Sequence, residues 1–131
     1  MGIVVGYLAT QEGRSALTAA VEESKLRDLP VVVVVSSRPD ETHERRTEFE
    51  NELAEVARHL DAQGIRHEVR LLEGGDVADD LISTAEEVGA HLIVIGLRRR
   101  SPVGKLILGV NAQRVLFDSP CPVLTVKPGP E

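Results

Sequence analysis

The sequence predicts a single-domain α/β fold, an open parallel sheet of five strands with helices on both faces. Three observations carry this. Five short runs rich in Val, Ile and Leu alternate with longer segments of helical periodicity, which is how strands joined by crossover helices read in sequence. One run is five consecutive valines, Val31 to Val35, and a strand with no polar face needs cover on both sides. The chain has 131 residues, 42% hydrophobic but only 2% aromatic, which is the size of one domain with an aliphatic core.

The elements follow in order. Residues 3–8 form the first apolar run, and 13–27 a first helix with Leu17, Ala20, Val21 and Ser24 at helical spacing, ending before Leu29-Pro30. The valine run, 31–35, is a central strand. Residues 40–63 form a longer helix with Phe49, Leu53, Val56, Ala57 and Leu60 on one stripe. Its charged run of Glu41, Glu44, Arg45, Arg46, Glu48 and Glu50 reads as a solvated face. After a third strand at 67–72, Asp76 is placed to cap a helix whose apolar positions are Val77, Leu81, Ile82, Ala85 and Val88, with Gly89 as its stop. A fourth strand at 92–95, a fourth helix from about 105 to 117 and a last strand at 123–126 complete the domain, 1–127. The proline- and glycine-containing tail, 128–131, is expected to be loose.

Composition limits the function. Fifteen Lys and Arg against 21 Asp and Glu give a net charge of −6, and aromatics that stack on bases are nearly absent, which argues against a nucleic-acid partner. No run approaches the roughly 20 apolar residues that span a bilayer, and the first residues lack a basic region, so neither membrane insertion nor secretion is expected. The single cysteine, Cys121, has no disulfide partner within the chain and reads as a buried or incidental thiol. A cytoplasmic location fits these features.

Candidate chemistry concentrates after the fourth strand, in the segment from Gly96 to Arg114. Glycine at a strand end lets a ligand approach the backbone, and free amides at a helix start attract phosphate. Arg98, Arg99, Arg100 and Lys105 add cations that suit phosphate. Elsewhere, His43, His59, His67 and His91 form no metal-ligand pair, and the adjacent Asp79 and Asp80 point apart on a helix. There is no hydrolase-type serine elbow and no Gly-Lys-Ser/Thr phosphate loop. No catalytic residue and no protein-held metal is assigned.

At these residues the sequence resembles the universal stress protein family. Nucleotide-binding members carry glycine, two residues, glycine, nine residues, then glycine followed by serine or threonine; here Gly96 and Gly109 fall on the outer glycines. The resemblance extends to Ile3-Val4-Val5-Gly6, to Gly74-Gly75-Asp76, to Leu92-Ile93-Val94-Ile95-Gly96 and to the closing segment from Pro120 to Lys127. Arg99 stands at the middle glycine, Val110 at the serine or threonine, and Leu8 at the aspartate that meets the ribose. The backbone amides of Val110 and Asn111 remain whatever their side chains, so a phosphate site is expected to survive in weakened form.

The resemblance implies a Rossmann-like sheet of the adenine nucleotide alpha hydrolase type, ordered three, two, one, four, five. It also implies a stress-response regulator that binds ATP or another adenine nucleotide, with no metal beyond nucleotide-bound magnesium, and a homodimer paired through the last strand. The residues assigned to the ligand are Ser36, Ile95, Gly96, Arg98, Arg99, Gly109, Val110 and Asn111. Two other readings stay open: a nucleotide-independent dimeric interaction protein and a weak ATPase.

Overall fold

The computed structural model describes residues 2–7, 11–37, 42–73, 76–97 and 110–127. The chain runs β1 (Ile3–Gly6), α1 (Gln11–Arg27), β2 (Val31–Ser37), α2 (His43–Ala62), β3 (His67–Glu73), α3 (Val77–Val88), β4 (Leu92–Gly96), α4 (Val110–Asp118) and β5 (Val123–Val126). The strands form one parallel sheet in the order β3-β2-β1-β4-β5. This is the α/β architecture that the sequence pattern predicts, in the strand order that the family resemblance implies.

The register sorts the core into two layers. Ile3 pairs with Val31 on one side and Leu92 on the other, so alternate residues of three neighbouring strands share a face. On the first face Ile3, Val5, Val31, Val33, Val35, Leu92 and Val94 meet Ala16, Leu17, Ala20 and Val21 of α1 and Val56 and Leu60 of α2. On the second, Val4, Val32, Val34, Ile93 and Ile95 meet Ala78, Leu81 and Ala85 of α3 and Val115 of α4. All five valines of β2 are therefore buried, alternating between the layers. Each such side chain contributes on the order of 1.5–3 kcal/mol of transfer free energy.

Ends differ from the sequence expectation where capping decides them. Thr42 is extended and its side chain accepts the Arg45 amide at 3.1 Å, so α2 starts at His43 rather than at 40. Asp76 caps α3 as anticipated, accepting the Asp79 amide at 3.0 Å, and Gly89 ends it at φ 61°, where the Ala90 amide reaches back to the Ala85 carbonyl at 2.9 Å. β2 and β3 each run past the expected end because they pair with one another through Ser36–Leu72 and Ser37–Glu73. The expected start of the fourth helix, at 105, lies outside the described residues. Among those described, no helix is long and apolar enough to cross a membrane.

Candidate functional site

The chain leaves β1 toward β2 and leaves β4 toward β5, so the strand order reverses between β1 and β4 and a crevice opens beyond their carboxyl ends. Parallel strands require each intervening helix to run back antiparallel, which brings the N-termini of the helices to this same edge. Gly6 and Tyr7, Ser36, and Gly96 and Leu97 form the strand side of the edge. A Cβ at Gly6 would lie 3.2 Å from Leu81 Cδ1, so glycine there lets α3 close onto the end of β1.

Two helix starts flank the crevice, and they are unlike. The start of α3 is satisfied by its own carboxylates: Asp76 accepts the Asp79 amide, and Asp79 and Asp80 lie in the first turn. The Asp79 amide, and then Arg114, hold the Asp76 carboxyl below its ordinary range. The first turn of α4 carries no acidic residue. Its leading amides have no acceptor within the helix, and with the helix dipole they form a site suited to an anion.

The assigned residues take the following places. Ser36 is half-buried at the end of β2, and its hydroxyl donates to Asp80 Oδ2 at 2.6 Å. The Ile95 side chain is buried in the second core layer, so only its backbone faces any ligand. Gly96 pairs in register with Val126, and the Leu97 amide continues that pairing by donating to the Val126 carbonyl at 2.8 Å. Val110 opens α4, and the exposed Asn111 follows it. The edge thus gathers Ser36, Gly96, Val110 and Asn111, with β1 between the first two. Arg98, Arg99 and Gly109, together with Leu8, Gly104 and Lys105, lie outside the described residues.

Sequence reasoning missed a polar chain along this edge. Arg114 Nη1 donates to Asp76 Oδ2 at 3.1 Å and Oδ1 at 3.3 Å, while Nη2 donates to Asp79 Oδ1. The hydrogen bond to Asp79 leads in raising the guanidinium above its ordinary pKa. Asp79 and Asp80 do point apart, one toward α4 and the other toward β2. Their partners are 35 and 44 residues away in the chain, beyond the reach of any local spacing rule. On the opposite face the buried Tyr7 hydroxyl donates to Glu52 Oε1 at 2.6 Å, tying the end of β1 to α2.

The fold is an open, doubly wound α/β domain whose strand order reverses between β1 and β4, which is where such sheets place a ligand. The universal stress protein family model matches residues 1–127. The chain belongs to that family. A universal stress protein of Mycolicibacterium smegmatis is 41% identical over 96% of this chain and 97% of its own length. One from Thermus aquaticus is 30% identical over 95% and 97%. Among solved structures, a universal stress protein from Archaeoglobus fulgidus superposes with a TM-score of 0.82 at 36% identity, covering 97% of this chain and 98% of that one. The Archaeoglobus fulgidus universal stress protein in complex with dAMP superposes at 0.79, with 30% identity and the same coverage.

Proposed function

We propose that this chain is a cytoplasmic stress-response protein that binds an adenine nucleotide, ATP or a close relative, weakly in the crevice after β4. The observation that carries the reading is the start of α4. Its own first turn carries no acidic residue, and it stands at the carboxyl edge of the sheet with Gly96, in a fold shared with a 30% identical relative solved with dAMP. Gly96 and the amides of Val110 and Asn111 would take the phosphates, joined by Gly109 and the basic Arg98 and Arg99. Ser36 would border the base. Val110 in place of a hydroxyl removes one hydrogen bond, worth about 0.5–1.5 kcal/mol, and Leu8 removes the ribose carboxylate, which is why the binding is weak. We read the site as one that binds without turnover.

The same reading includes a homodimer through Val123–Val126. β5 is the edge of the sheet, its residues are half-buried, and Phe117 at the end of α4 is 84% exposed. A second reading, a dimer that works through protein partners without nucleotide, is favoured by Leu8, Arg99 and Val110 at the motif positions. Calorimetric titration of ATP, ADP and AMP, with and without magnesium, separates the two. Micromolar binding that is lost in Gly109→Asp, which sets a carboxylate before the first turn of α4, supports the nucleotide site. No heat at millimolar nucleotide favours the partner-binding dimer, and magnesium-dependent release of phosphate would make the protein an ATPase.

A further inference from the structure

We infer that Arg114 is a specificity residue of this crevice: by holding Asp76 and Asp79 it shields the α4 phosphate site from two carboxylates and so sets how many phosphates the site accepts. The inference rests on the nucleotide reading above and deepens it. Arg114 lies four residues beyond Val110, about 6 Å along the helix axis, so its guanidinium and the carboxylates it binds lie near the first turn of α4. Charges within a Debye length of about 8–10 Å act on one another through solvent, so carboxylates left unshielded within about a helical turn of the α4 amides act on bound phosphate. The three groups are partly exposed, with side chains 38%, 47% and 59% accessible for Arg114, Asp76 and Asp79, so their field reaches the crevice through solvent.

The geometry also separates Arg114 from a general packing role. One guanidinium nitrogen serves Asp76 and the other serves Asp79, so the planar fork spans both carboxylates, a task lysine performs poorly. Asp80, the third carboxylate of this turn, is taken by Ser36 on the β2 side. The turn of α3 is thus pinned to β2 by one aspartate and to α4 by two, and Arg114 is the cation that joins it to α4. Its removal leaves the two carboxylates without the cation that joins them to α4.

The test is a titration of adenosine, AMP, ADP and ATP into wild type, Arg114→Gln, Asp79→Asn and Arg114→Gln/Asp79→Asn at low salt. Arg114→Gln is expected to weaken binding in proportion to ligand charge, on the order of twofold for each phosphate charge, with adenosine losing least. Adding Asp79→Asn restores part of the loss, Asp79→Asn alone tightens ATP relative to AMP, and 0.5 M salt flattens the gradient. Asp79→Asn keeps Arg114 in place and gives a reading even if Arg114→Gln unfolds. A loss by the same factor for all four ligands, or ATP/AMP ratios unchanged in Asp79→Asn, overturns the inference and leaves the nucleotide site standing. Wild type that binds none of the four overturns both.

Discussion

Tyr7 is 4% exposed, and its hydroxyl meets a carboxylate 45 residues away, so a single side chain joins β1 to α2. Tyr7→Phe is expected to lower unfolding free energy by about 1.5–3 kcal/mol in urea denaturation, the range for a hydrogen bond to a charged partner. Burial first, and then Glu52, raise the phenol far above its ordinary pKa of 10.0, so the folded state resists ionisation that the unfolded state permits. The stabilisation is complete below pH 10 and is lost as pH climbs above it; stability curves of wild type should fall more steeply there than those of Tyr7→Phe. Ser36 was legible in the sequence as the first polar residue after the valine run, where strand two meets its loop. Arg114 and Asp80 were not, because a residue's role in an ion pair across the fold depends on register and helix placement, which spacing along the chain does not encode.

Elements were legible where periodicity and local caps speak together. The third helix is the clearest case: the structure places both caps, Asp76 and Gly89, as expected, and buries Leu81 and Ala85 of the expected stripe, with Ala78 and Thr84 buried beside them in place of Ile82. Gly89 sits at φ 61° with open space around it, so Gly89→Ala meets backbone strain alone and should cost about 1 kcal/mol by thermal or urea unfolding. The second helix shows the converse: its charged lead-in masked Thr42 as the cap. At the other edge of the sheet, the carbonyls of Pro122 and Val126 face β4, so by alternation the backbone groups of Val123 and Thr125 face outward. Thr125→Pro removes an outward donor without touching the β4 ladder. If the proposed β5 dimer forms in wild type, light scattering should find Thr125→Pro monomeric at the same concentration; a variant dimer that persists places the interface elsewhere.

For the whole molecule, two layers of helices on one parallel sheet were readable from alternation and from the valine run, while the strand order came only through the family resemblance. Aliphatic patterning says that strands are buried but not which neighbours they choose, since any of these runs packs acceptably beside any other. The crevice follows from that order, because reversal between β1 and β4 defines it. Of the candidate site, Gly96 at the sheet edge was legible in the sequence, the glycine spacing to Gly109 ends outside the described residues, and the acidic turn of α3 emerged only once the strands were ordered.

β2 offers the same side chain to both faces, so its burial would hardly change if it slid by one position against its neighbours. A strand of alternating character punishes such a slip by exposing every apolar group; this one is indifferent. The reading frame of the central strand must be kept by punctuation at its ends. Pro30, whose carbonyl accepts the Ile3 amide at 2.9 Å, marks one end, and Ser36, bound to Asp80, marks the other. Between those two marks the valines carry stability but no message, and an error in pairing there would be corrected only by the two residues that bracket them.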